Sequence, residues 1–199
     1  MEFTKENLKL EDGLKKEWLI TNGMGGFASS TIIGANTRKY HGLLIAPLTP
    51  PAQRYLILSK VDESIKIEDV KYDLYTNIGE NYISQGYKYQ EKFEKDNFPV
   101  YTYKVNGTEI SKTICMEQGK EIVGIQYKIK NTNKKRGEDF INKFNTKYYD
   151  KTGSNTDDCC RCRRNCVTSC CNCYKSCKRT VQRHGNIRFF VSYPCDEHN

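Results

Sequence analysis

The chain has 199 residues, 37% of them hydrophobic, with 32 Lys+Arg against 24 Asp+Glu. That is enough for one ordinary domain with a small appendage and a modest core. No apolar stretch approaches the roughly 18 residues of a membrane span, and no charged start followed by an apolar run marks a signal peptide, so a soluble, cytoplasmic protein without membrane contact is expected. The formal charge of +8 is unevenly placed: residues 1–133 hold 18 basic and 17 acidic side chains, residues 134–199 hold 14 and 7. The basic excess therefore belongs to the last third, and nucleic acid is not the expected partner of the rest.

From the N-terminus, helical evidence is confined to the short stretch Glu6 to Lys16. The run from Glu17 to Leu44 follows, with five glycines, Trp18 and a Thr-Arg-Lys-Tyr-His cluster. Gly23 to Gly34 is expected to be a loop passing into a strand at Thr31-Ile32-Ile33, with Gly23, Gly25 and Gly26 permitting backbone conformations closed to other residues. Asn22 and these glycines offer backbone N–H groups to an anion, but no GxxxxGK[ST] or GxGxxG accompanies them, so a glycine-enabled turn is the simpler expectation. Arg38, Tyr40 and His41 join a fixed cation, a hydroxylated ring and an imidazole, groups suited to sugar hydroxyls and the apolar face of a pyranose. Strand alternation would put Arg38 and Tyr40 on one face and His41 on the other; a structural network at a sheet edge is the competing expectation. The apolar Leu43–Ala46 stretch is expected to end at Pro47, before Pro50-Pro51.

From about Arg54 to Ile129 the sequence alternates with period two, most clearly in Tyr55–Leu58, Val100–Val105, Ile110–Met116 and Ile122–Ile129. Tyr, Ile and Val at that period mean half-buried strands. Asn106-Gly107 and Gln118-Gly119 separate the last three, the first pair being suited to a tight hairpin. The fold class expected is mainly β, an antiparallel β-sandwich. Glu17, Asp62 and Glu63 are the carboxylates that a glycosidase pair would need, but they are expected to be solvated surface groups. Cys115 is expected to be a small buried hydrophobe.

Past Asn133 the alternation fails. Nine of the ten cysteines lie between Cys159 and Cys195, and eight of them form two copies of CCxCxxxC offset by eleven residues. The expected division is residues 1–133 as the β domain and 134–199 as an irregular Cys/Arg-rich tail. Two readings of that tail stand. Eight thiolates have spacings compatible with zinc, and interleaved arginines would suit phosphate. The favoured reading is a frame error near Lys134-Lys135: Cys codons read one base on give Val or Ala, the residues a continuing β domain would supply.

The Glu17–Leu44 run, with Pro50-Pro51, Arg54, Leu58-Ser59-Lys60 and Glu63, resembles the N-terminal domain of the bacterial and archaeal type of glycogen debranching enzyme, the amylo-α-1,6-glucosidase family. Gly86-Tyr87, Phe93, Pro99 and the strand pair Ile110–Met116 and Ile122–Ile129 follow in order, so the resemblance covers about residues 14–133. It implies a β-sandwich that precedes an (α/α)6 barrel holding the hydrolytic carboxylates. After Lys135 the resemblance would call for further strands and an Arg-Asp-Tyr-His-like motif, so the sandwich is expected to be incomplete. It further implies glycogen or limit dextrin as the partner, a catalytic barrel encoded separately or downstream, no cofactor, no metal and no catalytic residue in this chain. Asn22, Arg38, Tyr40 and His41 are the expected glucan-facing residues, with Trp18 as a stacking or packing aromatic.

Overall fold

A computed structural model of the chain describes residues 1–49, 53–67, 69–131, 138–145, 179–184 and 187–192. The Cys159–Cys177 repeats, and with them the zinc and frame-error readings, lie outside the described residues. In chain order the elements are β1 (Glu2–Thr4), a 3-10 turn (Lys5–Asn7), α1 (Leu10–Lys15), β2 (Glu17–Thr21), β3 (Phe27–Thr31), β4 (Gly42–Thr49), β5 (Gln53–Leu58), β6 (Lys60–Ile67) and β7 (Val70–Asp73). The short pair β8 (Ile78–Gly79) and β9 (Tyr82–Ile83) precedes a 3-10 turn (Gly86–Tyr89), then β10 (Gln90–Lys95), β11 (Pro99–Val105), β12 (Thr108–Met116) and β13 (Ile122–Asn131). Beyond residue 133 come β14 (Glu138–Asn145), β15 (Arg179–His184) and β16 (Ile187–Ser192).

The meander β10–β13 is built as its alternation requires. β12 buries Thr108, Ile110, Lys112, Ile114 and Met116 and turns the residues between them outward. Its hairpin with β11 closes on Asn106 (φ 45°) and Gly107 (φ 83°), the two positive φ angles of a two-residue turn whose twist matches that of the strands. These strands form the centre of a sheet ordered β1-β10-β11-β12-β13-β16-β15, antiparallel except where β16 joins β13 in parallel. A second sheet runs β2-β3-β4-β5 and a third β14-β6-β7. All three contribute to one apolar cluster, in which Trp18, Ala28 and Leu44 from the second sheet and Val61, Ile65 and Ile67 from the third meet Phe93, Tyr101, Ile110, Ile125 and Tyr127 of the first. The mainly β, antiparallel architecture is thus the one the periodicity implied.

Local details differ from the sequence expectations. The strand in the glycine-rich run is Phe27–Thr31, and Ile32-Ile33 form a fully buried turn instead, beneath which Gly13 of α1 is so close that a Cβ would lie 2.4 Å from Ile33 Cγ2. β4 continues through Pro47 to Thr49. On the β3 side the pairing stops at Ile45 opposite Phe27, so no β3 residue needs the missing N–H, and on the β5 side, where Pro47 stands opposite Arg54, a bulge follows at Pro47/Thr49. Cys115 sits on the outward side of β12, half-buried beside Gly124. Burial raises its thiol pKa, partly offset by a hydrogen bond with Gly124.

Candidate functional site

The Thr37–His41 segment is a turn between β3 and β4. It is not the strand that alternation implied, and a His41 N–H to Arg38 carbonyl bond of 3.0 Å closes it. The two-sided arrangement survives for a different reason: the turn lifts Arg38 and Tyr40 outward and folds His41 inward. Arg38 is 70% exposed at its side chain and Tyr40 52% exposed overall, whereas His41 is almost fully buried. Lys39 Nζ lies 5.6 Å from the centre of the Tyr40 ring, a cation on an exposed aromatic face.

The base of this turn is pinned from β2. Arg38 Nε pairs with Glu17 Oε1 at 2.6 Å, and His41 Nε2 stands 3.5 Å from the same oxygen. His41 Nδ1 accepts the Thr37 N–H at 3.0 Å, which fixes the proton of the neutral ring on Nε2, facing Glu17. Burial lowers the His41 pKa, Glu17 raises it less, and Arg38 lowers it further. The net shift favours the neutral imidazole.

Asn22 and Trp18 are both buried. Asn22 is completely buried, and its Oδ1 accepts the N–H groups of Met24 (2.9 Å) and Gly26 (3.0 Å) while its Nδ2 donates to the Lys120 carbonyl at 3.0 Å. Two of the loop N–H groups, those of Met24 and Gly26, are thus engaged by Asn22 itself. Gly23 and Gly25 take φ values of 77° and 88°, as expected, whereas Gly26 is crowded: a Cβ there would lie 2.4 Å from Glu121 Oε2 and 2.6 Å from Asn22 Nδ2. Trp18 is buried in the core, donating from Nε1 to Tyr101 Oη, which in turn donates to the Thr31 carbonyl at 2.9 Å. It packs edge-on against Tyr101 with ring centres 6.5 Å apart.

The expectation of solvated carboxylates at 62 and 63 is overturned. Asp62 is 5% and Glu63 3% exposed, because β6 is covered on both faces. Glu63 Oε1 meets Lys112 Nζ of β12 at 2.5 Å and accepts the Tyr127 hydroxyl of β13 at 2.6 Å. Asp62 Oδ2 accepts from Asn77 Nδ2 at 3.1 Å, and Lys60 Nζ stands 3.7 Å from Oδ1 while donating to Thr76 O and Asn77 Oδ1. Burial lowers the Lys60 pKa to about 8 against the pull of Asp62, and burial raises that of Asp62 against the pull of Lys60. Nothing local in the sequence announces this network, whose partners at 112 and 127 lie far along the chain. Among the described residues no group of three or more His, Cys, Asp or Glu is placed to hold a metal ion, and no helix is long and apolar enough to cross a membrane.

Residues 16–147 match the family model described as glycogen debranching enzyme N terminal. The match continues past Asn133 and takes in β14, which pairs antiparallel with β6 from Glu138 opposite Ile67 to Asn145 opposite Lys60. No match was found among curated proteins or among solved structures.

Proposed function

The chain belongs to the glycogen debranching enzyme N-terminal family, and from that premise we propose that it is the non-catalytic, glucan-facing β domain of an α-1,6-glucosidase of cytoplasmic glycogen breakdown, with the hydrolytic carboxylates on a catalytic barrel outside this sequence. The observation that carries the glucan-facing role is the Arg38–Tyr40 turn, in which the exposed Tyr40 ring carries the Lys39 ammonium and the exposed Arg38 is pinned by Glu17, with His41 folded inward beneath. An aromatic face bordered by hydrogen-bond donors suits a pyranose ring, and a pinned turn loses little entropy when it is engaged. The non-catalytic role is supported by the engagement of both candidate carboxylates on β6, which leaves neither positioned to protonate a glycosidic oxygen or activate water. Of the five expected glucan-facing residues, the reading therefore rests on Arg38 and Tyr40, with His41 as their support.

Affinity electrophoresis in glycogen-containing gels tests it. The full chain should be retarded, and Tyr40→Ala should weaken binding roughly five- to tenfold, as expected for one aromatic contact. Incubation with phosphorylase limit dextrin should release no glucose. Unchanged mobility in glycogen, or glucose release by the chain alone, overturns the proposal.

A further inference from the structure

Glu17, Arg38 and His41 meet at the base of the Thr37–His41 turn with their hydrogen-bonding capacity unevenly used. In the neutral His41 ring the proton sits on Nε2, since Nδ1 accepts the Thr37 N–H. That Nε2 makes no hydrogen bond, although the side chain is only 2% exposed. The acceptor it faces, Glu17 Oε1, stands 3.5 Å away and is held instead by Arg38 Nε at 2.6 Å. A buried donor without an acceptor is costly, so Glu17 is drawn toward His41 as soon as Arg38 finds another partner. Both Glu17 contacts run through Oε1 and the Arg38 contact through Nε, so neither involves Glu17 Oε2 or the two terminal Nη groups of Arg38. The two side chains are within reach of solvent, Glu17 on an edge strand of its sheet and Arg38 on the turn that carries Tyr40.

We propose that Glu17 and Arg38 form a clamp for two neighbouring hydroxyls of a glucose ring, Glu17 accepting and Arg38 donating, while the His41 Nε2–H takes up the carboxylate oxygen that Arg38 releases. The clamp deepens the glucan-facing reading and rests on it. Adjacent ring hydroxyls each donate and accept, and a carboxylate beside a guanidinium fork offers both functions at once. Charge selects a neutral polyol over an anion, because the Glu17 carboxylate cancels the Arg38 charge and repels a second anionic group. The exchange of partners makes the clamp accessible. A sugar hydroxyl is a weaker acceptor for Arg38 than a carboxylate is, and the bond gained by His41 offsets the difference.

Two measurements on the full chain decide the matter. Glu17→Gln keeps an acceptor but loses its charge, and should weaken retention in glycogen gels about tenfold. Titration of the unsubstituted chain with maltoheptaose, followed by NMR, should raise the pH midpoint of the His41 ring resonances by about 0.5 or more. The sign follows from the two charges that act on the ring: Arg38, which lowers the midpoint, turns to the sugar, and Glu17, which raises it, draws nearer. A Glu17 that merely braces the turn gives the first result without the second. If Tyr40→Ala weakens glycogen binding and Glu17→Gln does not, or if the His41 midpoint stays where it is, the clamp is overturned while the glucan-facing reading stands. An unsubstituted chain that ignores glycogen overturns both together.

Discussion

Replacing Lys112 by Met tests the buried charge network directly. Glu63 and Lys112 are 4% and 8% exposed at their side chains and meet at 2.5 Å, so Lys112→Met leaves a carboxylate in the core with Tyr127 as its remaining close donor. Breaking a buried pair from one side costs about 3–5 kcal/mol, a large fraction of the ~5–15 kcal/mol that holds a domain together. With a urea dependence of about 2 kcal/mol per molar, the unfolding midpoint should fall by about 1.5–2.5 M. The assay is built in: Trp18 is the chain's one tryptophan and is 2% exposed, so its emission should shift red as the core opens. Adding Glu63→Gln to the same chain removes the stranded charge while keeping an acceptor for Tyr127, and should recover at least half of the loss. A midpoint shift under about 0.5 M for Lys112→Met would refute the buried pair. A double variant no more stable than the single one would show that the stranded charge is not the origin of the cost.

Two further outcomes concern Lys60 and Gly86. Lys60 has a folded pKa of about 8 against 10.5, so the unfolded chain binds more protons between those values and stability should rise with pH, by about 2 kcal/mol from pH 8 to 10. Lys60→Met should flatten that slope in urea titrations at the two pH values; a slope unchanged by the substitution contradicts the assignment. Gly86→Ala should lower the melting temperature by about 5–10 °C, since a Cβ there would lie 2.3 Å from the backbone of Leu74 and Tyr75, which cannot swing aside as a side chain does. A calorimetric melt within one degree of the parent would show that the Gly86 turn yields more readily than its packing indicates.

What the sequence discloses depends on how local the cause is. The Asn106-Gly107 hairpin and the alternation of β12 are set by neighbouring residues, and both are legible from those neighbours alone. Asn22 is ambiguous at that level, because an Asn followed by glycines fits both an anion loop and a side chain capping its own loop; only the Met24 and Gly26 bonds decide. Asp62 and Glu63 read as surface because charge is normally solvated, and what reverses this is pairing with Lys112 and Tyr127. The inward fold of His41 likewise depends on Glu17, two strands earlier in the chain. Pro47 reads as a strand end because the pattern cannot show that β3 stops short of it.

The Trp18–Tyr101 contact joins residues 83 positions apart, and it sets a timetable for synthesis. At about 5–20 residues per second, roughly 4–17 s separate the translation of the indole from that of its partner hydroxyl. Throughout that interval the apolar side of β2–β5 has no first sheet to rest on. Closure of the core during synthesis must therefore wait for β11 and β12, and until then the apolar side of the nascent sheet stays uncovered.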